Sequence, residues 1–396
     1  MGLARRRSDR AVDGSKQRVR AGVSRPSTRD ATLRLPASAG GYHGAAPIMD
    51  ATPFDLASVA DRTASQSWPG EAPELAVVVP THGRARFLPE LIDALEHQEI
   101  DASRFEVVIV DDHSPDETWD VLRALTARTE LRIIAARSAS NRGPAAARNL
   151  AVGIARAPLL AFTDDDCLPS PNWAGAMLVA LRAGSDVVQG PTLARPEDRP
   201  TAGPWPRTVR VEKPSALFES CNIGWSRRAF LSLGGFPESR PDAPRSTRLH
   251  FGEDAELGWK LRSDGGSAAF AETAVVYHRV LPGRYADWLK EQRRMGMFPG
   301  LLRRAPGLRR ELTLRAFLSP RTALFDLALA GSVAAAIMWR PWSLAAALPW
   351  VVTRWRNARH RPGKPRVVRF AQLAVGDVVG FASLVGGSIR ARRLVL

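Results

Sequence analysis

The sequence predicts an α/β domain, a sheet of buried strands flanked by helices, and three observations carry that reading. First, Leu75–Val79, Glu106–Val110 and Pro158–Phe162 are short, nearly continuous apolar runs with the length of strands buried on both faces. Second, each run ends in a polar group: Pro80-Thr81-His82-Gly83-Arg84, Asp111-Asp112-His113-Ser114 and Asp164-Asp165-Asp166. Third, helical patterns lie between them, with Leu88, Leu91, Ile92 and Leu95 on one face and Trp119, Leu122 and Leu125 on another. Strand and helix in alternation imply right-handed parallel crossovers. Ligands of such sheets bind beyond the carboxyl ends of the strands, where these polar groups collect.

The elements follow in chain order. Residues 1–48 are rich in Arg, Ser, Ala and Gly without apolar periodicity, so a disordered tail is expected, reaching to residue 70. No apolar core follows the early arginines, which argues against a secretory signal, and Met49 is an alternative start. The domain itself is expected over 71–283. Gly143-Pro144 opens a helix: proline suits the first turn, and Ala145 to Ala147 favour propagation. The free N–H groups at that helix start can face an anion. Leu257 and Leu261 repeat at four in the helix that begins after Gly252, and Ala274–Tyr277 is a last apolar strand closed by His278.

Three carboxylates in a row repel one another unless a cation joins them. Hard oxygen ligands suit Mg²⁺ or Mn²⁺, ions that commonly also hold a substrate diphosphate. The plainer reading is an acidic turn capping a helix, since Pro169 and Pro171 follow. Glu253 and Asp254 likewise have a plain reading, because acids are favoured in a first helical turn. Cys167 and Cys221 make neither a disulfide scaffold nor a metal-type spacing and read as small buried residues of a reducing compartment.

The ordered motifs VVVPTHGR, VIVDDHS, NRGPAAARNLAVGIARAPLLAFTDDD, CNIGWSRRAFLSLGGFPE, FGEDAELGWKLRSDGG and VVYH resemble those of the family-2 glycosyltransferases, from about Leu75 to His278. The resemblance implies a GT-A, Rossmann-like mixed sheet flanked by helices. It implies an inverting transferase that moves a sugar from a nucleotide donor to an acceptor hydroxyl, with a divalent cation, Mn²⁺ or Mg²⁺, on the diphosphate. By this likeness Asp112 contacts the nucleotide base, which leaves UDP-, GDP- and dTDP-sugars open. Pro80, Thr81 and Arg84 lie near base or ribose, and Arg148 braces the site carboxylates or the diphosphate. Asp164 and Asp166 match the ends of the metal motif, with Asp165 on the donor side, although Asp165-Asp166 is an alternative working pair. His278 is a metal or phosphate ligand, or a structural histidine. Asp254 matches the general base, assisted by Glu253. Asn222 orients the sugar or its loop, and the glycines at 234 and 235 permit a tight path. Gln292-Arg293-Arg294 approaches a motif of processive members, but Met295-Gly296 replaces its end, which favours transfer of one sugar.

The formal net charge is +16. By count residues 1–48 hold about +7, residues 49–283 about −7 and residues 284–396 about +16. The last region is expected to be helical, basic and apolar, and membrane-associated. Ala323–Met338, Trp342–Val352 and Phe370–Ile389 are apolar stretches with arginines on every flank. If all flanks are cytoplasmic, no stretch crosses singly, and re-entrant or interfacial helices fit better, with tryptophans near the headgroups. A hairpin across Arg340-Pro341 and a soluble helical domain are the alternatives. The expected partners are a nucleotide-sugar, a glycan or lipid-linked acceptor and an anionic membrane surface, with no nucleic acid. That places the protein at the cytoplasmic face of the cell membrane, in cell-envelope polysaccharide synthesis. Competing functions are a sugar-nucleotide nucleotidyltransferase, whose Gly-rich, Lys-containing loop is missing at 80–84, and a non-catalytic scaffold of the same fold.

Overall fold

The three apolar runs become the middle of an eight-stranded sheet. A computed structural model describes residues 53–66, 72–238 and 251–396. Its strands are β1 (Val59–Ala64), β2 (Leu75–Thr81), β3 (Phe105–Asp111), β4 (Ile133–Ser138), β5 (Leu159–Thr163) and β6 (Cys167–Pro169). They continue with β7 (Val187–Gln189), β8 (Thr192–Ala194), β9 (Asn222–Ser226), β10 (Ala268–Phe270) and β11 (Val276–His278). The large sheet has the order β1-β4-β3-β2-β5-β9-β7-β10, and β6-β11-β8 form a second, small sheet. Strands β4, β3, β2 and β5 run parallel, while β1 and β9 are antiparallel to their neighbours, so the sheet is mixed as expected.

Burial of both faces explains the continuous apolar runs. Val77 and Val79 point to one face, against α1 (Leu88–Glu96), α2 (Thr118–Thr126) and α4 (Trp173–Arg182). Ala76 and Val78 point to the other, against α3 (Pro144–Ile154), α5 (Arg227–Ser232) and α6 (Glu253–Ser263). The expected helix faces are buried at Leu88, Leu91, Ile92, Leu95, Trp119 and Leu122.

One boundary needs correction. The tail expected to be disordered up to residue 70 contains β1, which pairs antiparallel with β4 from Val59↔Ser138 to Ala64↔Ile134. Its sequence, VADRTA, is polar because an edge strand has one paired side and an exposed surface, so it lacks the apolar signature of the interior strands. Residues 1–52 and 67–70, where the rest of that expectation falls, lie outside the described residues.

Asn222 joins the two sheets. It is buried, its amide donates to the carbonyls of Pro191 and Ala274, and its Oδ1 accepts from the Trp173 indole at 2.8 Å. It therefore orders the chain around β8 and β11. Gly190 passes so close that an added Cβ would meet the Ala274 carbonyl at 2.3 Å and the Asn222 amide at 2.8 Å.

Beyond the sheet lie α7 (Tyr285–Arg294), α8 (Phe298–Arg304), α9 (Pro320–Met338), α10 (Leu348–Arg359) and α11 (Arg366–Ala391). Ser319 and Thr322 form a capping box that starts α9. Inside the helices Asp377 is buried and paired with buried Arg354, and it accepts from the Trp350 indole at 2.9 Å. Helix α11 packs closely on α7 and the turn after it: Gly376 sits under the Trp288 ring, and Gly387 against the Gly296 carbonyl. Helices α9 and α11 are long and apolar enough to cross a membrane by length and composition, and only 17% and 33% of their apolar windows are buried. Trp339 and Trp342 are 90% and 69% exposed.

Gly190→Ala should lower stability by about 1–3 kcal/mol, the usual cost of overpacking against atoms that cannot move aside. A urea midpoint equal to that of the unchanged protein would show that the sheet junction relaxes freely.

Candidate active site

The polar ends of β2, β3 and β5 meet at one edge of the sheet, because parallel pairing in register aligns their termini. Asp164-Asp165-Asp166 follow β5 and turn the chain into β6, with the Cys167 amide donating to the Asp164 carbonyl. Each carboxylate then has a cationic partner, and two of them share Arg84. Asp164 pairs with Arg148 of α3 at 2.6 Å. Asp165 accepts from Thr81 Oγ1 at 2.7 Å and pairs with Arg84 at 2.9 Å. Asp166 also pairs with Arg84, through Oδ2, and its Oδ1 faces His278 Nε2 at 3.6 Å.

Asp112 works locally in the structure. It is buried, and its two oxygens accept from the amides of Arg142 and Gly143 at 3.0 and 2.7 Å. Those bonds fix the turn before α3, where Gly143 has φ +91° and Pro144 begins the helix. The start of α3 in turn places Arg148 one turn in. Pro80 lies within β2, one residue before Thr81.

The second carboxylate group comes from the opposite side. Gly252, at φ +76°, leads into α6, whose first turn carries Glu253 and Asp254. Asp254 Oδ2 accepts from the Ser220 amide at 3.0 Å, while Oδ1 is shielded from solvent and has no partner among the described residues. Burial, then the neighbouring Glu253 charge, pushes Asp254 up to about 7. Asp165 is likewise pushed up to about 7, by burial against the pull of Arg84 and Thr81. Burial alone would lower Arg148, but Asp164, Asp254 and Glu253 together raise it. Arg148 is thus the charge that ties the acidic triplet to the Asp254 side.

Of the three expected metal ligands, the structure brings Asp166 and His278 together. Asp164 turns to Arg148 instead. Among the described residues the group able to hold an ion is Asp166, Cys167 and His278, with ligand atoms within 4.8 Å of one another. His278 Nδ1 lies 2.7 Å from the Arg279 carbonyl and must donate to it, so Nε2 is the nitrogen that faces Asp166. A buried carboxylate oxygen and an imidazole nitrogen 3.6 Å apart fit a divalent cation between them. Cys167 and the Ser220 amide were missed in the sequence. The one signal for Cys167 is its place beside the triplet; Ser220 acts through its backbone, which no side-chain pattern reveals.

A carboxyl raised in the folded state contributes stability below its unfolded value near 3.8, and loses it as pH rises through about 7. Asp254→Asn should therefore match the unchanged protein near pH 3 and exceed it at pH 8, by on the order of 4 kcal/mol. Denaturant midpoints across that range measure it; a pH-independent difference would mean that Asp254 is not strained by its burial.

Residues 76–231 match the family model described as Glycosyl transferase family 2. The validoxylamine A glucosyltransferase of Streptomyces hygroscopicus subsp. jinggangensis is 30% identical over 228 residues, 49% of this chain and 52% of that protein. The pre-mycofactocin glycosyltransferase of Mycobacterium tuberculosis is 27% identical over 267 residues, 62% of this chain and 52% of that protein. The chain thus spans about half the length of these curated relatives. Among solved structures it is similar to a mannosyltransferase of Pyrobaculum calidifontis in complex with GDP-Man and Mn²⁺, at 19% identity and TM-score 0.47, covering 83% of this chain and 89% of that one. Residues 76–231 of this chain belong to glycosyl transferase family 2.

Proposed function

We propose that the protein is an inverting glycosyltransferase that moves one sugar from a nucleotide-sugar to an acceptor hydroxyl. The observation that carries this reading is Arg148, set between a strand-end carboxylate cluster and a shielded carboxylate with a free oxygen, within a domain of the family. Asp254 Oδ1 takes the proton of the acceptor hydroxyl as its oxygen attacks the anomeric carbon. The bond from that carbon to the diphosphate breaks, and the nucleoside diphosphate leaves. Glu253 keeps Asp254 basic through like charge. Thr81, Arg84 and Asp112 line the donor side, with Asp112 acting both on the turn before α3 and on the base. Asp166 and His278 would hold a divalent cation, which when bound offsets the charge of the leaving diphosphate. The donor is a UDP-, GDP- or dTDP-sugar.

The acceptor is a glycan or a lipid-linked sugar of the cell envelope, and the protein works at the cytoplasmic face of the membrane. The exposed apolar faces of α9 to α11, rimmed by arginines, support this placement. An apolar surface of this kind holds in high salt, whereas attraction between basic residues and anionic lipid is screened.

Asp254→Asn should keep donor binding and slow transfer by roughly 10²–10⁴, and Asp166→Ala should lose metal-dependent release of nucleoside diphosphate. Unchanged transfer in either variant moves that role elsewhere. The full chain should float with vesicles of anionic phospholipid in high salt. Trp339→Glu with Trp342→Glu should weaken flotation without altering nucleoside diphosphate release. Release of the full chain by salt alone would assign the apolar faces to protein contacts instead.

A further inference from the structure

We infer that Asp166, Cys167 and His278 form a three-ligand site for a thiophilic divalent cation of the zinc class. The inference rests on the cation reading at Asp166 and His278 and adds the third ligand and the kind of ion it selects. Strands β6 and β11 are antiparallel, and Cys167 is the register partner of His278. Directly opposed residues project to the same face with Cβ atoms about 5 Å apart. Asp166 precedes Cys167, and its carboxylate is aimed by Arg84, which holds Oδ2 and leaves Oδ1 toward His278. The His278 side chain is nine-tenths buried, its Nδ1 is spent on the Arg279 carbonyl, and its Nε2 makes no hydrogen bond among the described residues. The three ligand atoms already lie within 4.8 Å of one another. In a tetrahedral zinc site they stand about 3–4 Å apart, so rotation of the side chains closes the set.

The donor chemistry decides the ion. A thiolate favours Zn²⁺ and its analogues Co²⁺ and Cd²⁺, whereas Mg²⁺ and Mn²⁺ prefer oxygen. On binding, the Cys167 thiol gives its proton to solvent and its sulfur bonds to the ion. Three protein ligands leave a fourth position open, as in zinc sites that take water or a substrate oxygen. Arg84 need not move, because it occupies the other oxygen of Asp166.

Co²⁺ titration of the full, reduced chain tests this directly. One equivalent should produce the near-ultraviolet absorption of a thiolate bonded to cobalt, and Zn²⁺ should abolish it. The chain has 2 cysteines, and the Cys221 thiol lies against that of Cys167, so a band kept in Cys221→Ser and lost in Cys167→Ser assigns the bonded thiolate to Cys167. Cys167→Ser and Cys167→Ala should lose the band, and Zn²⁺ affinity should fall by at least the roughly 10–100-fold that an outer-shell partner is worth. Mn²⁺ binding, read by electron paramagnetic resonance, should be unchanged in the same variants. His278→Gln should weaken the cobalt band with both thiols present. Mn²⁺ binding without any cobalt–thiolate band overturns this inference alone. Failure of every ion to bind overturns the cation reading with it, and a band that persists without Cys167 overturns the assignment.

Discussion

Three adjacent carboxylates at the end of a buried strand set the terms for the rest of this protein. Such a group is tolerable only if charge or hydrogen bonds come to it, and here they come from separate parts of the chain. Arg148 arrives from α3, Arg84 and Thr81 from the end of β2, and His278 from the end of β11. Each supplier must then be held by something else. Asp112 fixes the turn that starts α3, and Asn222 fixes the small sheet that presents His278. The polar network is thus a reason for the fold's connections as well as their product.

The same logic links the acidic triplet to the first turn of α6. Arg148 answers Asp164 by direct contact and Asp254 through the field. Asp254 is shielded, raised to about 7 and half-satisfied by one backbone amide. That shift comes from burial first, and only then from the neighbouring Glu253.

How much of this the sequence disclosed follows from burial and distance. Strands β2, β3 and β5 were legible because burial on both faces demands uninterrupted apolar residues. Strand β1 was not, since an edge position accepts VADRTA. Strand β11 was legible as the end of the apolar run that His278 closes, but the three-residue strands β6 and β8 are too short for any period, and β6 is the one that brings Cys167 to His278. Asp164, Asp166, Arg148 and Asp254 were singled out as site residues. Their pairing was not legible, because Arg84 reaches Asp166 across 82 residues and Ser220 reaches Asp254 across 34. The apolar content of the last helices was plain in composition, but only their packing shows that most of it faces outward.

The buried pair of Arg354 and Asp377 has a mechanical consequence. Neither charge can be left alone out of water, so α10 and α11 cannot separate without a large penalty. Helix α11 is in turn pressed against Trp288 and Gly296 with no gap for sliding. Helices α10 and α11 are therefore held to each other by charge and to α7 by close packing, so a displacement of one is felt by the other two.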